Sequence, residues 1–489
     1  VAAPFSFDHR IEFLPENSDE LLRTIPAAPG VFSLRGETGE PYLTRTADLR
    51  RRLRRLLAPP EAVDELGRPI LSKRLNLRER VRFIEYTRTG SDFESIQILY
   101  CASRAAFGPD EARRRLRLHA PYVLRVTMSQ THPRVYSTNR LSKKSLPESF
   151  GPFPSRAAAD RYCDAVLDLF LLRRCYEDLE PYPDHPGCVY GEMKKCMQPC
   201  KEGNPQACTP EQYAHEARRV FDFFMTRGQS LLEEVAAQRE AASEAMDFEA
   251  AAALHKHWEK VRAAALLADE LVRPVAGLRA LILQEAAPSE DDTRTEDAAV
   301  FLFEHGQIVG PERLSTLGVR AVREQTAVGS SLFAQPLMLA PVPLSEPEAS
   351  GHDTEPSMIT ATPEDRARAA IDALTARAQS PIDIAELCDN LSLFRRWYYR
   401  PEKQRSGEVF LPNPDGSWPT RRILNGAARV VLGPPAPVSA VDRESARDAA
   451  KALKTKIIHP GREGVEREVP ILPKRVRSRK AVTPADLHE

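Results

Sequence analysis

Four cysteines, Cys175, Cys188, Cys196 and Cys200, follow one another at intervals of twelve, seven and three intervening residues. Thiolates are soft ligands, so four converging on one point would suit zinc or an iron–sulfur cluster. Zinc knuckles favour two tight CxxC pairs, which this spacing lacks. Lys194, Lys195 and Lys201 lie in the same stretch, where their charge would stabilise thiolates. The competing reading is a set of buried, unligated thiols, which apolar packing explains poorly among so many Gly, Pro and charged residues. Cys208, a fifth thiol nearby, has no assigned role. A second group of residues points to phosphate: Arg50, Arg51, Arg52, Arg54 and Arg55 crowd one short segment, and clustered cations attract nucleic acid.

A third candidate is a helix start at Met246-Asp247-Phe248-Glu249, where a large aromatic flanked by carboxylates can insert into a partner's groove. The alternative is an ordinary helical hairpin in which Phe248, Ala252, His255 and Trp258 pack within the chain. His255 and His257 read as helix-surface residues, not ligands.

The elements that must position these residues are legible as patterns. Gly30-Val31-Phe32 and Tyr42-Leu43-Thr44 flank the polar run Arg35–Glu40, whose two glycines predict a hairpin turn. Thr46 is placed to cap a following helix with Leu49, Leu53, Leu56 and Leu57 on one face. Val81–Thr87 has strand composition, and Ser91 opens a helix pattern carrying Phe93, Ile96, Ile98 and Leu99. Two strands between Tyr122 and Tyr136 and beyond run into a loop, "FGPFPS" (Phe150–Ser155), and Ser155 caps a helix expected to reach Leu172. After Pro210 helical patterning continues to about Val272, broken near Ala245-Met246-Asp247 into an antiparallel pair with Asp247 as cap. Strands return between 278 and 320, and helices follow at Pro363–Ala378 and Ile384–Tyr399.

A chain of 489 residues exceeds one core, so several domains are expected. Its composition, 42 % hydrophobic and 28 % charged, is that of a globular protein. Net charge is zero, so affinity for nucleic acid must come from local basic surfaces such as Arg50–Arg55, Arg113–Arg117 and Lys474–Lys480. No apolar run approaches the roughly 18 residues of a membrane span. Asp8, His9, Arg10 and Glu12 interrupt any leader-like apolar region. A cytoplasmic protein without membrane contact is expected, and in a reducing compartment the cysteine crowding suggests metal ligation over cross-linking.

Four motifs in order resemble the UvrC subunit of the bacterial excinuclease. Gly30-Val31-Phe32 with Tyr42-Leu43-Thr44 is similar to a worn GIY-YIG pair. "FGPFPS", the four cysteines and "AMDFEAAAALHKHWEKVR", similar to the UVR motif, follow; weaker similarity runs through "AAVFLFEHGQIVGPERL" and "NLSLFRRWYY" to about residue 430. The resemblance implies an α+β multidomain chain. Its parts are a degenerate GIY-YIG-like domain (1–105), connecting strands (106–160), a cysteine-rich region (161–215), a UVR-like helical hairpin (216–275), a mixed α/β region with a Pro-rich insert at 335–363 (276–432), and a basic, loosely ordered tail (433–489). It implies a [4Fe-4S] cluster on the four cysteines, with zinc as the alternative. It further implies DNA contact through Arg45, Arg50, Arg51, Arg54 and Arg55, and a UvrB-type partner at Phe248, Met246 and Glu249.

Catalysis in that family needs a phenol, an arginine against the developing phosphorane charge, and a carboxylate for a divalent cation. Tyr42, Arg52 and Arg45 stand at matching positions, Arg45 where a lysine is usual. Phe32 replaces the first tyrosine. Counting eight positions past Ser91 reaches Leu99 where the metal-binding glutamate belongs, and leucine offers Mg²⁺ no oxygen. Glu94 and Asp92 lie on the same helix, but Glu94, five positions from Leu99, would point to another face. The family's second, RNase H-like nuclease has no counterpart signature after Trp397, where His459 and His488 stand alone, so the chain is expected to end before that domain. The expectation is a DNA-binding subunit of nucleotide excision repair that does not cut. The alternative is an active single-incision GIY-YIG endonuclease using Mg²⁺ or Mn²⁺.

Overall fold

Alternation between 30 and 46 builds the first layer of the computed structural model, which describes residues 5–59, 75–205, 207–288, 297–317, 319, 362–378, 383–401, 404–432, 457–460 and 466–469. Strands β1 (His9–Glu12), β2 (Gly30–Arg35), β3 (Tyr42–Thr46) and β4 (Phe83–Arg88) pair antiparallel in the order β1-β4-β2-β3. Helices α1 (Ser18–Thr24) and α2 (Leu49–Leu57) cover one face, where Leu22, Leu49, Leu53, Leu56 and Leu57 bury against Phe32, Leu34, Ile84 and Tyr86. Each such leucine contributes about 2 kcal/mol. The cap of α2 is Asp48, whose carboxylate accepts from the Arg51 amide at 2.8 Å. Thr46, expected to cap, accepts instead from the Asp48 amide and so shapes the turn before it.

The opposite face of this sheet carries Ser33 and Glu85 and meets α3 (Asp92–Phe107) at Ala102, Ala105 and Ala106. Ser91 caps α3 by accepting from the Glu94 amide, and the buried Glu94 carboxylate accepts from the Gly90 amide at 2.7 Å. Gly90 itself must be glycine: a Cβ there would stand 2.3 Å from the Glu285 carbonyl oxygen. A short α4 (Pro109–Arg115), absent from the sequence reading, follows the positive-φ Gly108.

A second sheet contains β5 (Tyr122–Val126), β6 (Val135–Thr138), β7 (Ser149–Phe153) and β8 (Arg273–Pro274) in the order β6-β5-β7-β8. β7 overturns the loop expected at "FGPFPS", since all five of its residues are buried. Helix α5 (Arg156–Leu167) ends earlier than expected because the following chain bonds elsewhere: Glu216 accepts from the Leu171 amide and Tyr213 from the Arg173 amide. After the one-turn α6 (Val189–Glu192), three helices, not two, complete this layer: α7 (Pro210–Met225), α8 (Gln229–Glu244) and α9 (Phe248–Ala265). The unforeseen break falls at Gly228, φ +89°, where a Cβ would meet Ala265 at 2.9 Å. The break at Asp247 is as expected, with its carboxylate accepting from the Ala250 amide.

The third sheet, ordered β11-β10-β9-β12, comprises β9 (Ala280–Glu285), β10 (Asp297–Glu304), β11 (Gln307–Ser315) and β12 (Glu408–Phe410). Its near-continuous apolar strands have both faces covered. Helices α10 (Pro363–Arg377) and α12 (Thr420–Leu432) bury Leu281, Leu283, Val300 and Leu302, while α11 (Ile384–Tyr398) buries Ile282, Phe301 and Phe303. The last of these cores also takes in Phe93 from α3, Val123 from β5 and Trp397, so it straddles the domain boundaries anticipated from sequence. Residues 1–433 form one compact unit and 434–489 a second, in which β13 (Ile457–Pro460) and β14 (Glu466–Val469) pair antiparallel. Most of the Pro-rich insert, the run Lys474–Lys480 and His488 lie outside the described residues. No described helix is long and apolar enough to cross a membrane.

Burial raises the Glu94 carboxyl to about 7, against its ordinary 4.5. Below the ordinary value it is protonated in both folded and unfolded chains. Between that value and about 7 the unfolded chain gives up its proton and the folded chain keeps it, so stability falls as pH rises. Glu94→Gln retains an acceptor for the Gly90 amide without this titration. Its melting temperature relative to wild type is expected to rise by a few degrees from pH 5 to pH 7.5; a pH-independent difference in differential scanning calorimetry would disprove the assignment.

Candidate functional site

Strand alternation decides which of the candidate residues can meet. Tyr42 pairs with Leu34 on the α2 face of the first sheet, and Arg52 stands one turn into α2. The Tyr42 hydroxyl accepts from the Arg52 guanidinium at 3.2 Å. Phe32 is fully buried on the same face, its ring 6.2 Å from that of Tyr42, and belongs to the core beneath α2. Leu99 is half-buried on α3, the helix that covers the other face. Among the described residues no carboxylate is hydrogen-bonded or ion-paired to Tyr42 or Arg52.

Arg45 pairs with Val31, three residues and one change of face beyond Tyr42. Its guanidinium contacts the Asp92 carboxylate at the start of α3, which also receives Arg400. Burial, then repulsion from Arg400 and Arg396, lowers the Arg45 pKa. The structure thus joins Tyr42 with Arg52 and joins Arg45 with Asp92, as two separate pairs. Asp92 lies seven positions before Leu99 on the same helix, as the sequence pattern places it. With two guanidiniums on it, it is a poor ligand for a divalent cation.

The arginines of α2 divide by exposure. Arg50 donates to the Ile25 carbonyl at 2.6 Å and ties α2 to the end of α1, whereas Arg51, Arg54 and Arg55 are exposed. Sequence reasoning also missed the stacking of His9 on Tyr86, rings 4.6 Å apart, in the row that crosses the sheet beside Phe32. Phe32 and Tyr86 are register partners; only the pairing of distant strands could have revealed it.

The four cysteines occupy a loop-rich segment between α5 and α7. Cys196 and Cys200 are buried, Cys175 and Cys188 half-buried, and none is in a disulfide. Burial pushes the Cys196 thiol up to about 12, with a bond from the Gln198 amide opposing and the neighbouring Cys188, Cys175 and Cys200 adding to the rise. Cys200 is raised by burial and by Cys188 and Cys175, with Lys201 opposing. Cys175 and Cys188 are therefore near enough to disfavour ionisation of Cys196 and Cys200. Among the described residues, however, no three His, Cys, Asp or Glu side chains are set close enough to hold a metal ion. Lys195 is engaged with Asp168 at 3.0 Å and not with a thiol.

The hairpin of α8 and α9 is anchored at its base, where Leu231, Val235 and Val261 join the core and Trp258 packs against it. Its tip is free. Met246 is 77 % and Phe248 70 % exposed, and Glu249 is exposed beside them. Phe248 therefore does not pack within the chain, unlike Trp258.

Residues 122–223, from β5 through the four cysteines to α7, match the family profile described as the UvrC/Cho excinuclease middle domain. The UvrABC system protein C of Idiomarina loihiensis is 26 % identical over 237 residues, 48 % of this chain and 36 % of that protein. That of Kocuria rhizophila is 30 % identical over 232 residues, 47 % of this chain and 32 % of the relative. The chain is UvrC-like. The same is seen against the Koribacter versatilis protein, 30 % identical over 236 residues, 36 % of its length. The matches thus span about a third of the UvrC relatives, and no solved structure matches the chain. The matched UvrC middle-domain span contains "FGPFPS" and Cys175, Cys188, Cys196 and Cys200, and lies between Tyr42 and Phe248.

Proposed function

We propose that this UvrC-like chain acts in nucleotide excision repair as a DNA-binding subunit that docks on a UvrB-type partner and does not cut through its first domain. The observation that carries this reading is the Tyr42–Arg52 pair, to which no carboxylate among the described residues is hydrogen-bonded or ion-paired. An arginine can bind a phosphate and a phenol can take part in proton transfer. Without an acidic oxygen, no divalent cation is held to polarise the phosphodiester. The exposed Arg51, Arg54 and Arg55 supply sequence-independent attraction for DNA. Purified protein incubated with UvrB-loaded, lesion-bearing DNA and Mg²⁺ or Mn²⁺ is expected to yield no incision. Incision that disappears in Arg52→Ala would replace this reading with the single-incision endonuclease.

Docking through the hairpin tip is supported by the exposure of Met246 and Phe248 on an anchored helix pair. A protruding aromatic of this kind behaves as a hot spot, worth about 2 kcal/mol or more on truncation. Phe248→Ala should weaken binding to a UvrB-type partner about 30-fold in calorimetric titration, with melting temperature unchanged; unaltered affinity would return the tip to mere surface.

The cysteine segment is assigned to a [4Fe-4S] cluster, on Cys196 and Cys200, whose ionisation the nearby Cys175 and Cys188 disfavour, within the UvrC-like middle region. Such a group would discharge the thiolates and cross-link a segment with little core of its own. Anaerobically purified protein should be brown with a broad visible absorption shoulder that Cys196→Ser abolishes. A colourless, zinc-containing preparation would overturn the iron assignment.

A further inference from the structure

Three arginines from distant parts of the chain gather at the start of α3. Arg45 comes from β3, and Arg396 and Arg400 from the end of α11 and just beyond it. Arg45 and Arg400 each contact one oxygen of Asp92. Arg396 donates to the Leu116 and Arg117 carbonyls at 3.2 and 2.7 Å, which fixes its position. Two guanidiniums therefore share a single carboxylate, and Arg396 stands near enough to interact electrostatically with both. Burial and repulsion from Arg400 lower the Arg396 pKa, as burial and both neighbours lower that of Arg45. A further anion would relieve this repulsion.

The geometry points to a seat for a backbone phosphate of DNA formed by Arg45, Arg396 and Arg400, with Asp92 as the resident counter-charge in its absence. The place is open. The side chains of Arg45, Arg400 and Asp92 are 38 %, 25 % and 36 % exposed, so solvent reaches them. An open ledge cannot enclose a small free anion, which would exchange with water and salt. A polyanion differs, because each phosphate it seats releases condensed counterions and neighbouring phosphates hold it in place. Planar guanidiniums suit the task, since each offers paired donors to phosphate oxygens. The inference rests on the DNA-binding reading above and adds a site separate from the exposed arginines of α2.

The test is fluorescence anisotropy with a duplex of roughly 20 base pairs at KCl concentrations between about 50 and about 200 mM. The double variant Arg396→Gln/Arg400→Gln should bind about tenfold more weakly and flatten the slope of log K against log salt by about two. Asp92→Asn should move the other way, about threefold tighter, a direction that loss of folding cannot produce. If the wild type binds and both variants keep its affinity and slope, the seat is refuted while the DNA-binding reading stands. Absence of any wild-type binding at the lowest salt defeats both. Inorganic phosphate forms a separate arm: if it raises the melting temperature of wild type but not of the double variant, and the DNA slopes are equal, the seat serves a free anion and the DNA assignment falls.

Discussion

The buried carboxylate of Asp389 holds the layers together. It accepts from the Tyr100 hydroxyl at 3.0 Å and takes two bonds from Arg113, at 2.7 and 3.1 Å, while only 3 % exposed. A charge so buried is tolerable only while its partners stay, and removing one partner of such a pair costs about 3–5 kcal/mol. Asp389 lies on α11, Tyr100 on α3 and Arg113 on α4. Glu386 and Arg104 add a second link between α11 and α3, and the Gln97 amide donates to the Ile308 carbonyl at 2.9 Å.

Through these links α11 acts as a spine. One side buries Leu391, Phe394 and Trp397 against the third sheet, and Phe93 of α3 meets Trp397 at a tilt with rings 5.1 Å apart. Just beyond its far end Arg400 reaches Asp92, while Arg396 in its last turn bonds the Leu116 and Arg117 carbonyls. The first sheet, with Tyr42 and Arg52, is thus fixed against a helix more than 300 residues away in sequence, Arg400 and Asp92 being separated by 308 positions. A layer whose second face is spent on such packing is a fixed platform.

The Tyr42–Arg52 pair and the arginines beside Asp92 each present guanidinium charge, which attracts anions. The cysteine segment lies on no sheet, in the loop-rich stretch between α5 and α7, where burial keeps the Cys196 thiol protonated.

Periodicity and chemistry alone determined much of this protein. The leucine stripe of α2, the strands around Phe32 and Tyr42, the caps at Ser91, Ser155 and Asp247, and the helix bearing Trp397 all follow from local pattern, because side chains at fixed spacing select the element that buries them. The leucine at position 99 and the four thiols were likewise plain. Tertiary structure decided the rest. "FGPFPS" reads as a turn but is a buried strand, since β5 and β8 flank it on either side. The break at Gly228 and the early end of α5 answer to Ala265, Tyr213 and Glu216, partners far along the chain. The separation of Arg45 from Tyr42, and its meeting with Asp92, Arg396 and Arg400, depend on which sheet face α3 and α11 cover. No window of sequence contains that information, because long-range packing creates it.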